Sequence, residues 1–153
     1  MKSTKSRLGP VLLLVGSSCS ASYGEQDVSE CLSKQMEPSI NVVQKLTNGG
    51  SRDVGPVELR HSMCSTHDDR IASTERALLA AGYKHSTGVA ELGRCINVVV
   101  PSAFNQKAVE QQITSLCTIS ANNGMVYMNW SGDVGGSFVF VSGDYVAIDP
   151  SAK

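Results

Sequence analysis

From residue 57 onwards the apolar residues switch repeatedly between two periods, and the order of those periods limits the possible folds more than any other feature of the chain. In VELRHSMC, Val57, Leu59, His61 and Met63 fall on one side and Glu58, Arg60, Ser62 and Cys64 on the other, the period of a half-buried strand. DDRIASTERALLAAG changes to helical spacing, with Ile71, Leu78 and Ala81 inward and Gly82 as its stop; Thr66 with Asp69 three residues on has the form of a capping box. A weaker strand runs around Tyr83 to Val89, and RCINVVV is a clear strand that Pro101 is expected to end. Asn105 then caps a helix with Val109, Ile113, Leu116 and Cys117 on one stripe, closed by Asn122-Asn123-Gly124, and MVYMNW is the fourth strand.

Strand, helix, strand, strand, helix, strand is the split βαβ order of an α+β, ferredoxin-like domain, with two helices on one face of an antiparallel sheet. Ahead of it, DVSECLSKQMEPSINVVQKL places Val28, Cys31, Leu32, Gln35 and Met36 at helical spacing until Pro38 interrupts. A second helical piece from Ile40 to Leu46 stops at Asn48-Gly49-Gly50. Behind it, GDVGG reads as a flexible connection to SFVFVSGDYVAID, a hairpin turning at Gly143-Asp144. Whether that hairpin extends the sheet or folds over it stays open. One domain is expected over 27–150, with no internal repeat.

The first residues have the parts of an export signal: Lys2, Lys5 and Arg7, an apolar core from Leu8 to Val15, then small residues. That core is shorter than the roughly 20 residues of a membrane span. Residues 1–18 are read as the signal and 19–26 as a tether. Gly16-Ser17-Ser18-Cys19 resembles a lipoprotein box, which makes Cys19 the expected lipidation site, with ordinary cleavage near Ala21 as the alternative. Loss of 1–18 removes three of the 13 basic residues and none of the 14 acidic ones, so the charge becomes 10 − 14 = −4, which argues against nucleic acid as a partner. The expected location is periplasmic, on the outer membrane through the lipid anchor, or secreted and soluble if the anchor is absent.

Four cysteines then remain in an oxidising compartment, and two disulfides are expected. Cys64 ends the first strand and Cys95 begins the third, central neighbours in this topology, so the two should bridge on the outward face. Cys31 and Cys117 are the remaining pair, joined if the N-terminal helix packs beside the helix carrying Cys117.

Residues about 42–134 resemble the ribonuclease E inhibitor family known as regulator of ribonuclease activity B. The resemblance lies in VVQKLTNGGS before the first strand, ERALLAAGY in the first crossover helix, and SANNGMVYMNW joining a helix, a turn and a strand that ends in Trp130. It implies a ferredoxin-like domain that works by binding a protein and carries no chemistry of its own. The chain departs from that family in its export signal and its milder acidity, so ribonuclease E itself would be out of reach.

Chemical motifs are sparse. Cys64-Ser65-Thr66-His67 has CxxH spacing without a second ligand cluster, so no metal and no cofactor is expected. His61 lies among apolar neighbours as a core histidine, His85 on an edge strand as a solvated one, and no small-molecule substrate is indicated. The outward side of the sheet carries Glu58, Arg60, Asn97, Val99, Tyr127 and Asn129, with Trp130 in the opposite phase. Arg60, Tyr127, Asn97 and Asn129 are therefore the candidate partner-binding residues, Arg60 and Tyr127 being of the kinds that recur at hot spots. The leading reading is a lipid-anchored protein-binding domain that inhibits its partner, as an immunity protein does. A small enzyme using Cys64 and a structural envelope lipoprotein are the alternatives.

Overall fold

A computed structural model describes residues 23–48, 53–91 and 93–150. The signal, Cys19, the tether as far as residue 22 and the Gly49-Gly50 stop lie outside the described residues. Among the described residues the fold is α+β, with three helices and one six-stranded antiparallel sheet. Helix α1 spans Val28–Thr47, strand β1 Pro56–Ser65, α2 Asp68–Ala80, β2 Lys84–Ala90, β3 Gly93–Ala103, α3 Gln106–Asn122, β4 Val126–Val134, β5 Ser137–Ser142 and β6 Tyr145–Asp149. The strand order is β2-β3-β1-β4-β5-β6. No described helix is long and apolar enough to cross a membrane.

The core lies between the helices and one sheet face. Val57, Leu59 and Met63 of β1 and Ile96 and Val98 of β3 meet Val42 and Val43 of α1, Ile71 and Leu78 of α2, and Val109, Ile113 and Leu116 of α3. The terminal hairpin extends the sheet: β5 pairs with β4 and β6 with β5, and Val139 and Val141 continue the core.

Four local expectations are corrected. Helix α1 runs through Pro38 as one helix, capped by the Asp27 carboxylate, which accepts from the Glu30 N–H at 2.8 Å, and ended by Asn48 at φ 49°. A proline inside a helix costs about 3 kcal/mol. Anchors on both sides offset it here: Cys31 is bridged, Gln35 donates to the Met128 carbonyl at 3.4 Å, and Ser39 accepts from the Trp130 indole N–H at 2.8 Å. Strand β3 continues past Pro101 to Ala103, because its pairing with β2 ends at Val99 and one side of the strand is then an edge, where a missing N–H is tolerated. Helix α2 starts without a capping box. His67 is its N-cap with no side-chain bond, and Asp68 and Asp69 supply favourable charge in the first turn.

The fourth concerns GDVGG. Gly132 to Val134 belong to β4, and Gly135-Gly136 alone make the turn, at φ 58° and 85°, a two-residue hairpin loop that favours glycine at both positions. Gly132 lies where β4 presses on β1; an added β-carbon would sit 2.8 Å from the Glu58 carbonyl oxygen and 2.9 Å from Leu59 Cδ2. The segment is held in the sheet rather than flexible.

Candidate binding face

The register of β4 decides which candidate residues reach solvent. Ser62 pairs with Asn129 but Met63 pairs with Tyr127, so Met128 is an extra residue in a β-bulge. The bulge breaks strict alternation and turns both Tyr127 and Trp130 into the core, where they are 1% and 0% exposed. The expectation that Tyr127 faces a partner is therefore corrected. The bulge leaves backbone groups off the ladder, and side chains satisfy them: the Tyr127 N–H donates to Gln26 Oε1 at 3.0 Å, and the Met128 carbonyl accepts from Gln35 Nε2 and, at 3.0 Å, from Ser142 Oγ.

Tyr127 is half of a buried polar pair. Its hydroxyl lies 2.6 Å from His61 Nδ1, and His61 Nε2 lies 3.1 Å from Gln112 Oε1 on α3. One proton arrangement satisfies all three with this amide orientation: Tyr127 donates to Nδ1, and a neutral imidazole donates from Nε2 to Gln112. Burial lowers the His61 pKa to about 4, against a smaller upward contribution from the Gln112 bond. Burial also pushes the Tyr127 phenol well above its usual range. Neither group reaches solvent, so the pair specifies the core and has no access to a substrate.

His85 is also more enclosed than expected. Its side chain is 12% exposed under α2, with Nε2 3.9 Å from the Glu75 carboxylate. Cys64 and His67 do not meet as metal ligands; Cys64 is bridged to Cys95, directly opposite on β3 with Cα atoms 4.1 Å apart. Both lie on the outward phase, although Cys64 is buried. Cys31 and Cys117 are bridged between α1 and α3, Cα atoms 5.7 Å apart and fully buried. These are the two pairings expected from strand adjacency and helix packing. Among the described residues, no group of three or more His, Cys, Asp or Glu is placed to hold a metal.

The helix-free face is where exposed polar and aromatic groups gather. Arg60 is opposite Val99 of β3 and Ser131 of β4, and Asn97 and Asn129 flank Ser62 two residues further along the strand. Next to them a recess of about 420 Å³ is walled by Glu58, Arg60, Val99, Asp133 and Phe138. Glu58, Arg60 and Asp133 make no side-chain hydrogen bond or ion pair among the described residues. No protein-family model matches the chain, and no curated protein is significantly similar to it.

Sequence reasoning missed the aromatic part of this face. Phe138 and Phe140 point outward from β5, opposite Asp133 and Ser131, and the Tyr145 ring lies 6.1 Å from that of Phe140. Phe138 is 39% and Tyr145 63% exposed. The alternation in SFVFV showed that the two phenylalanines share a side, but which side faces solvent depends on the hairpin joining the sheet through β4.

Proposed function

We propose that this protein is an exported, lipid-anchored binding module that inhibits a protein partner through the helix-free face of its sheet. The observation that carries the reading is the recess itself: three charged side chains that pair with no described residue stand beside an exposed phenylalanine on a face that no described helix covers. Unpaired charges around an aromatic anchor, placed on rigid strands, suit a surface completed by a partner's groups. The strand order β2-β3-β1-β4, with α2 and α3 on one side, supports a ferredoxin-like core extended by the hairpin, and this agrees with the resemblance to the ribonuclease E inhibitors. Two disulfides suit an oxidising compartment. Within this class, neutralising a toxin that reaches the periplasm fits a small, stapled, non-catalytic domain.

Two measurements test the proposal. With a captured partner, Arg60→Ala and Phe138→Ala should each weaken binding by at least about 1 kcal/mol, roughly fivefold, while the melting temperature stays near that of the parent. Unchanged affinity in both variants would move the interface elsewhere. Separately, Cys19→Ala should abolish palmitate labelling and detergent-phase partitioning; a labelled, membrane-bound mutant would remove the lipid anchor from the proposal.

A further inference from the structure

The two bridges differ in how a nucleophile can reach them. Cys31 and Cys117 are both fully buried between helices. Cys64 and Cys95 lie side by side on two adjacent strands and point to the helix-free face, where Cys64 is 3% exposed and Cys95 is half-buried. Thiol–disulfide exchange needs the attacking sulfur in line with the S–S bond, on the far side of the sulfur attacked, so access from one direction decides which sulfur reacts. For Cys64 that direction points towards β4, where the opposed residue is Val126. For Cys95 it points towards β2, where the opposed residue is Gly88. Gly88 is exposed, and a β-carbon built on it would meet nothing within 4 Å. Gly88 therefore places no side chain on the line of approach to Cys95 Sγ.

We propose that Cys95 is a thiol-exchange site, attacked over Gly88 by a small dithiol or a dithiol protein, and that Cys31–Cys117 is inert in the folded state. The attacking thiolate bonds to Cys95 Sγ as the Cys95–Cys64 bond breaks, and the electron pair leaves on Cys64 Sγ, which takes a proton from solvent. The reductant's second thiolate then displaces Cys95 as a thiolate, which is protonated in turn. The protein gains two electrons and two protons, and the dithiol becomes a disulfide. This assignment stands on the sheet register, on the different burial of the two cysteines and on the exposed glycine beside Cys95, and is independent of the partner-binding proposal.

The test is dithiothreitol treatment of the folded protein, followed by alkylation and peptide mapping over time. Cys64–Cys95 should open while Cys31–Cys117 stays closed, and in a parallel reaction with reduced glutathione in place of dithiothreitol the mixed disulfide trapped by alkylation should sit on Cys95. Gly88 is in extended strand with open space above it, so Gly88→Val can be accommodated; by standing in the line of attack it should slow opening by about tenfold or more. Ser86→Val, two residues away on the same strand face, should leave the rate unchanged. If the valine variant fails to fold, Gly88→Ala should give a smaller slowing in the same direction. Equal opening of the two bridges, an adduct on Cys64, a glycine variant as fast as the parent, or equal slowing by Ser86→Val would each overturn the assignment.

Discussion

Replacing both Cys31 and Cys117 by alanine is expected to lower folding stability by about 4 to 5 kcal/mol, the entropy that a bridge across a separation of 86 residues removes from the unfolded chain. That is a large share of the 5 to 15 kcal/mol typical of a domain. The bridge also ties α1, which precedes the βαββαβ order, to α3 within it, so its loss should loosen α1 first. The same change at Cys64 and Cys95, separated by 31 residues, should cost about 1 kcal/mol less, since the closed loop is shorter. Urea denaturation of the two double variants against the parent checks both numbers. A Cys31/Cys117 variant as stable as the parent would mean that α1 is held by packing alone.

The second large effect is acid sensitivity from His61. Folded His61 has a pKa lowered to about 4 by burial, whereas an unfolded histidine titrates near 6.5, so the unfolded state binds the proton first. The stability this contributes is fully present above pH 6.5 and is lost as the pH falls towards 4, at up to about 1.4 kcal/mol per pH unit and about 3 kcal/mol in all. Protonation would also place a donor on Nδ1, where the Tyr127 hydroxyl now donates. Denaturant midpoints measured between pH 7.5 and 4 should fall in the parent. In His61→Gln the loss over that interval should be smaller by about the same amount; equal slopes would show that His61 does not couple folding to pH.

What could be read from the sequence follows periodicity, and what could not depends on contacts distant in the chain. The three central strands and the two crossover helices were legible because Val57, Leu59 and Met63, or Val109, Ile113 and Leu116, repeat at one period with little interruption. Helix α1 looked broken because Pro38 interrupts it, and the bonds that hold it together there, from Gln35 to the Met128 carbonyl and from the Trp130 indole to Ser39, reach roughly 90 positions along the chain. The placement of Tyr127 failed for a related reason. An extra residue at Met128 shifts the phase of β4, and the groups that make the bulge affordable, Gln26 and Gln35, come from the other end of the chain. Arg60, Asn97 and Asn129 needed only alternation to be placed outward, whereas Phe138 needed the pairing of β5 with β4.

The most direct test of the binding face uses a photo-crosslinking amino acid in the exporting cell. Placed at position 138, beside the Glu58, Arg60 and Asp133 recess, it should join the protein to a partner on irradiation. At position 79, where Leu79 is 66% exposed on the helix side, it should join nothing. Crosslinking from position 79 and none from position 138 would contradict the assignment of the helix-free face as the docking surface.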